Sequence, residues 1–298
     1  MEIHCLHQPI IILGMHRSGT TMVTELLDQL GLFVGTELQG DHEATYFLQL
    51  NDTILRRVNG AWDNPAPVLS MLRSAEATEM TLKCLHGDVL SSKIRHFLGL
   101  GTYLKYRSIE KFDKHWGWKD PRTVFTLPMW LNLFPNAKII NILRNGIDVA
   151  ASLQTREKKM LADRVKKFDV RYGRMSSRLK LELAGYRGSA RCLELAGGFS
   201  LWEEYVAAAE HNLADIPNAK MTVRYEDFLA DPKKHLADLA AFCELAPTPE
   251  QIAGVIGAVD TSRGNAWQSD NVLRQFGESV LDHPLMVKYG YSIAAAVG

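Results

Sequence analysis

The first sustained apolar run in the chain, "PIIIL", is short, β-branched and bounded by Pro9 and Gly14. That is the pattern of a strand buried on both faces. A glycine-rich turn follows, and then Val23, Leu26, Leu27 and Leu30 keep helical spacing until Gly31 stops them. A second unit of the same kind starts at "AKIINIL", Ala137 to Leu143, and turns through "RNGIDVAASL" into a helix. Asn145 is placed to cap that helix, with Asp148 three residues on in the manner of a capping box. "KMTVRY", Lys220 to Tyr225, reads as a further strand. It is preceded by an amphipathic helix carrying Leu201, Trp202, Tyr205, Val206, Ala209 and Leu213. Leu236, Leu239, Ala240 and Cys243 mark one more helix after Pro232.

This alternation predicts an α/β fold, a P-loop-like, mostly parallel sheet with helices on both faces. Two stretches depart from it, about 36–106 and 154–195, where helical and polar patterns replace strand signals. They are expected as helical insertions that build a substrate lid over the carboxyl edge of the sheet. With no internal repeat, low-complexity tract or Pro/Gly/Ser linker, one domain over 1–298 is expected.

Composition narrows the picture only a little. At 46% hydrophobic and 23% charged, the chain is an ordinary globular one. Its 34 Lys and Arg balance 34 Asp and Glu, so nothing global argues for nucleic acid or an anionic membrane surface, and any basic site must be local. Cys5, Cys84, Cys192 and Cys243 are far apart and form no C-x-x-C pair, which predicts mostly buried free thiols in a reducing compartment. "MEIHCLHQPIIIL" lacks a positive n-region, and no segment has the length of a membrane span. A cytoplasmic location and no membrane span are the expectation.

The chemistry concentrates in the turns. "GMHRSGTT", Gly14 to Thr21, has the glycine spacing of a Walker A phosphate loop, but Thr20 stands where that motif has lysine. Its glycines permit a tight turn, Ser18, Thr20 and Thr21 add hydroxyls, and Arg17 adds a permanent charge. A strand before it and a helix after it aim backbone N–H groups and a helix dipole at an anion. Arg144 ends the second strand unit, where open α/β sheets bind ligands, and Ser152 lies about two turns along the following helix. Arg144 reaches the same anion as Ser152 only by folding back along that helix; a pair with Asp148 is the competing role. Two anion sites on one sheet edge suggest a ligand with anionic groups in two places.

Taken together, "GMHRSGTT" and "LRNGIDVAAS" resemble the two signature segments of the PAPS-dependent sulfotransferases. "WGWKDPRT", "FPNAKIINILR" and "VRYEDFLADP" extend the likeness to the bacterial-type branch, and "SRGNAWQ" is a looser match to a late Arg-Gly loop. The likeness runs roughly from Pro9 to Trp267. It implies a donor, 3′-phosphoadenosine 5′-phosphosulfate (PAPS), with PAP as product and no metal. It also implies that Arg17, Ser18, Gly19, Thr20 and Thr21 cradle the 5′-phosphosulfate and that Arg144 and Ser152 hold the 3′-phosphate. Arg263 and Gly264 would touch that phosphate too, and Tyr225 would lie on the adenine side. Such a donor has no γ-phosphate for a lysine to reach, which accounts for Thr20.

Lys119 in "WGWKDPRT" is the candidate second charge beside Arg17 at the transfer centre, with a salt bridge to Asp120 as its structural alternative. Many cytosolic members carry a histidine base after this lysine; here none follows, and His115 precedes it at a strand start. "GDHEATYFLQLND" then offers Glu43 and His42 at the opening of a helix, and Asp120 is the third contender. Glu43 is the preferred reading, with ordinary structural roles open for each. The acceptor is expected to be a small molecule or a carbohydrate. The basic stretch 156–180 could attract an acidic acceptor or be a solvated face, and the tryptophans of "WGW" could stack on a sugar or pack in the core. Two rival functions remain: a small-molecule kinase using ATP, disfavoured by Thr20 and by Arg144 standing where a Walker B aspartate would, and a non-catalytic nucleotide-binding protein of the same fold.

Overall fold

Four parallel strands in the order β2-β1-β3-β4 carry the fold: β1 Ile10–Gly14, β2 Gly117–Lys119, β3 Lys138–Leu143 and β4 Lys220–Arg224. This is a computed structural model, and it describes residues 1–172, 186 and 188–291. Between β1 and β2 run α1 Thr20–Gln29, α2 Thr45–Arg57, α3 Ala66–Leu72, α4 Ala75–Leu90, α5 Arg95–Leu98 and α6 Leu100–Tyr106. Helix α7, Thr123–Leu133, joins β2 to β3, while α8, Gly146–Tyr172, and α9, Leu195–Ala214, separate β3 from β4. After β4 come α10 Tyr225–Ala230, α11 Pro232–Phe242, α12 Pro249–Ile256, α13 Asn271–Val280 and α14 Pro284–Lys288. The chain divides into two compact units, Met1–Arg144 with Tyr205–Gly264, and Asn145–Glu204 with Asn265–Gly298.

The first unit holds the whole sheet. Successive residues of β1 point to opposite faces. Ile10 and Ile12 join Ile140, Ile142 and Val223 in one core, closed by Leu26 and Leu27 of α1, Phe228 of α10 and Leu236 and Leu239 of α11. Ile11 and Leu13 are equally buried, and α7 packs against β1. The apolar run predicted as buried on both faces is therefore buried on both faces.

A second cluster in this unit is aromatic. Trp116 and Trp118 are fully buried, and Phe47 of α2 stacks on Trp118 with centroids 4.2 Å apart and planes 8° from parallel. Trp130 and Phe97 meet Phe47 edge-on. Of the two roles open to "WGW", core packing is the one realised, so these rings offer no sugar platform. Strand β2 is short and starts two residues after His115, whose carbonyl accepts from Phe33 N–H at 2.9 Å.

The second unit contains α8. Asn145 caps it as predicted, its Oδ1 accepting from Ile147 N–H at 2.9 Å. Asp148, three residues on, also accepts at its Oδ1 from the backbone N–H of Trp267 at 2.9 Å. At the start of the basic stretch, Glu157 is buried and paired with Arg156 at 2.8 Å, and it accepts from Ser189 N–H at 3.0 Å. The rest of that stretch beyond residue 172 lies outside the described residues, as do residues 173–185 and 187 of the expected insertion 154–195.

Candidate active site

Parallel strands bring their carboxyl ends to one edge. The register pairs Ile12 with Lys119, Gly14 with Ile142 and Leu143 with Arg224. Each strand therefore delivers one piece of the site there: the loop after Gly14, Lys119 closing β2, Arg144 just past β3 and Tyr225 just past β4.

The loop is built by unusual backbone. Arg17 has φ 70° and Gly19 φ 94°, both left-handed, which turns the chain sharply before α1. A Cβ on Gly19 would fall 2.3 Å from the Tyr225 ring, so glycine also lets that aromatic lie against the loop. Ser18 is buried and spends its hydroxyl hydrogen on Met15 O at 2.7 Å, bracing the loop from within. Thr21 Oγ1 donates to Asp41 O at 3.0 Å.

Lys119 enters from β2 with only 1% of its surface exposed. Its ammonium donates to the Asp41 carbonyl, to Glu43 Oε1 at 3.1 Å and to Thr21 Oγ1 at 3.4 Å. The salt bridge to its neighbour Asp120 is not made. Asp120, with no exposed surface, binds Arg122 instead: Oδ1 accepts from the Arg122 backbone N–H and from Nη1, each at 3.0 Å. Its Oδ2 accepts from Asn51 Nδ2 at 2.8 Å. Arg122 Nη1 lies 3.8 Å from Glu43 Oε2, so two cations and two carboxylates interlock.

Glu43 stands on a tight turn, where Gln39 N–H donates to its carbonyl at 2.8 Å, two residues ahead of α2. Burial pushes its carboxyl above the ordinary range and Asp120 adds to this, outweighing the pull of Lys119 and Arg122. Burial works against the charge on Arg122, but Asp120 and Glu43 outweigh it and raise its pKa. His42 turns away to α1, its Nε2 2.9 Å from Asp28 Oδ2 and its Nδ1 3.8 Å from Glu25 Oε1.

At the other end, the Arg144 guanidinium donates from Nη1 to Arg17 O at 3.0 Å and from Nη2 to Arg263 O at 3.1 Å. It also lies 4.6 Å above the Tyr225 ring centroid. The Tyr225 phenol is raised by burial against the lowering effect of Arg144 and Arg263. Arg263 donates from Nε to Asp260 at 3.0 Å, and Gly264 follows it, with a Cβ there 3.4 Å from Leu229. Ser152 lies on α8 in the second unit.

A cavity of about 260 Å³ runs between these groups. Arg17, Gly19, Thr20 and Thr21 line it with Lys119 and Glu43, and so do Arg144, Tyr225 and Arg263. Sequence reasoning does not single out three residues that matter here. His16 lines the cavity with its ring 4.9 Å from Trp62 and 6.0 Å from Tyr205. Arg122 stands within the quoted "KDPRT", a signal that was available. Asn51 carries none, being one polar residue in an amphipathic helix.

Asn51 nonetheless holds the cluster together. Besides Asp120 it donates to Thr123 Oγ1 at 2.9 Å, and its Oδ1 accepts from Thr126 at 2.7 Å and from the Trp130 indole at 2.8 Å. Asn51→Ala strands several buried polar groups at once and is expected to cost about 3 kcal/mol. Chemical denaturation checks this; a loss under about 1 kcal/mol would mean that the network repairs itself.

A profile of the sulfotransferase family matches residues 9–194. An uncharacterized protein of Aquifex aeolicus (strain VF5) is 24% identical over 251 residues, 81% of this chain. The chain spans only 26% of the length of that curated relative. Among solved structures, a sulfotransferase domain from the curacin biosynthetic pathway is 16% identical with a TM-score of 0.47, covering 93% of this chain and 98% of its own. A sulfotransferase from Alicyclobacillus acidocaldarius is 16% identical with a TM-score of 0.44, covering 92% and 91% respectively.

Proposed function

The chain belongs to the sulfotransferase family, and from that premise we propose that it moves a sulfuryl group from PAPS to a hydroxyl or amine of a small-molecule or carbohydrate acceptor. The observation that carries this reading is that one cavity joins two cationic sites, Arg17 with Lys119 and Arg144 with Arg263. A donor with a phosphosulfate at one end and a 3′-phosphate at the other would meet cations at both ends of it. The missing loop lysine is also accounted for, because β2 supplies a cation against Thr21 from outside the loop.

In this reading Arg17, Gly19, Thr20 and Thr21 hold the phosphosulfate, and Ser18 keeps the loop in shape. Arg144, Arg263 and Gly264 hold the 3′-phosphate, with Tyr225 on the adenine side. The bond from sulfur to the bridging oxygen breaks as a bond from sulfur to the acceptor forms. Lys119 and Arg17 stabilise the negative charge that gathers on the bridging oxygen. Glu43 takes the acceptor's proton: it lines the cavity, whereas Asp120 is committed to Asn51 and Arg122, and His42 to α1. Asp120 acts at one remove, by fixing Arg122 beside Glu43. The donor residues ask for no metal, and no helix among the described residues is long and apolar enough to cross a membrane.

Thermal stability with PAP, adenosine 5′-phosphosulfate and Mg·ATP tests this. PAP at a hundred times its dissociation constant is expected to add about 2.7 kcal/mol, a rise of several degrees, and Arg144→Ala is expected to abolish it. A shift with Mg·ATP alone would replace the reading with a kinase. PAP binding without turnover on any acceptor of a broad panel would leave a binding protein of the same fold.

A further inference from the structure

The opposite edge of the sheet carries a second group of chemistry-bearing side chains, none of which the transfer reaction uses. His7 precedes β1, His115 precedes β2, and Glu244 follows α11. One ligand atom from each lies within 4.8 Å of the others. His115 Nδ1 is 3.8 Å from Glu244 Oε2, close to the separation of two ligands that share one ion at about 2.0–2.2 Å from each. The two imidazoles are 4.4 Å apart between centroids and tilted by 55°.

The backbone under each residue is fixed. The Trp116 indole donates to His7 O at 2.9 Å, Phe33 N–H donates to His115 O at 2.9 Å, and Glu244 N–H donates to Ala241 O at 3.0 Å. Glu244 also holds φ 59°, a left-handed conformation that disfavours residues with a Cβ. Lys138 orients its carboxylate: the ammonium donates to Oε1 at 2.6 Å and to Phe242 O at 3.0 Å, leaving Oε2 toward the histidines. Carboxylates that bind metals are commonly held this way by a second hydrogen bond.

We infer that His7, His115 and Glu244 form a binding site for a late first-row divalent metal ion, Zn²⁺ by its donor set, with water completing the coordination. Two imidazole nitrogens and one carboxylate oxygen suit zinc and are a poor match for magnesium or calcium, which take oxygen ligands. His115 and Glu244 keep 28% and 59% of their side-chain surface, so an ion can reach them from solvent. Bound there, it would tie the segment before β1, the lead into β2 and the end of α11 to one point. The site is separate from the donor cavity, and the inference stands whatever the chain transfers.

Isothermal titration of the chelator-treated full chain with Zn²⁺, in excess Mg²⁺, is the test. One equivalent is expected to bind and to raise the melting temperature. His115→Ala and His7→Ala are each expected to weaken binding at least about tenfold. The His7 variant serves if the His115 variant does not fold. No saturable uptake near one equivalent would overturn the site. So would uptake unchanged in the histidine variants, which would put the metal elsewhere.

Discussion

Lys119→Met is expected to lower turnover about 10²–10³-fold, the usual cost of removing one preorganised donor from a developing charge. The side chain is buried, and its ammonium touches the loop through Thr21 and the turn before α2 through Glu43 and Asp41. Methionine keeps much of the apolar volume, so the loss should fall on kcat. PAP, which lacks the sulfuryl group, should bind the variant within a few-fold of the parent; calorimetry with PAP and steady-state kinetics measure the two effects separately. Turnover within about fivefold of the parent would remove Lys119 from the transfer centre. Equal losses in PAP affinity and rate would make it a loop brace instead.

Glu43→Gln is expected to reduce turnover by about 10²–10⁴, the contribution typical of a positioned base. It should also change the shape of the pH profile. Burial raises the Glu43 carboxyl above the ordinary range, so the parent rate should fall as pH drops through that raised value. The variant should lose this limb. Stability has the other sign: with the folded pKa raised, the contribution is complete below the unfolded pKa and is lost as pH rises through the folded one. Between those two values the parent therefore gains activity and loses stability together. Paired rate and melting curves would show the crossing; an acid limb that persists in Glu43→Gln assigns the base to another group.

The parts of this architecture legible in the sequence were those written in local pattern. "PIIIL" and "AKIINIL" read as buried strands because their side chains are apolar, apart from Lys138 and Asn141. The loop and Arg144 could be placed at one sheet edge from their residue types and spacing, and they line one cavity. Lys119 was found, but its partner was not. Chain neighbours suggested Asp120, whereas in a strand neighbouring side chains point to opposite faces, and the ammonium meets Glu43 from across the fold. The contact of Asp148 with Trp267 was out of reach for a similar reason, since the two lie far apart in the chain. Asn51 and His16 are single polar residues whose meaning comes only from what the fold brings to them.

The central place of β1 sets a schedule for making the protein. Both of its neighbours, β2 and β3, lie far along the chain. Synthesis runs from the amino end, so β1 leaves the ribosome with neither edge covered. At about 5–20 residues per second, Lys138 and its strand follow only after on the order of ten seconds. During that interval Ile10, Ile11, Ile12 and Leu13 form an uncharged, β-branched segment with open edges, the profile that seeds aggregation. Yield in the cell should therefore depend on what shields this strand while the ribosome is still at work, a demand that the finished sheet no longer shows.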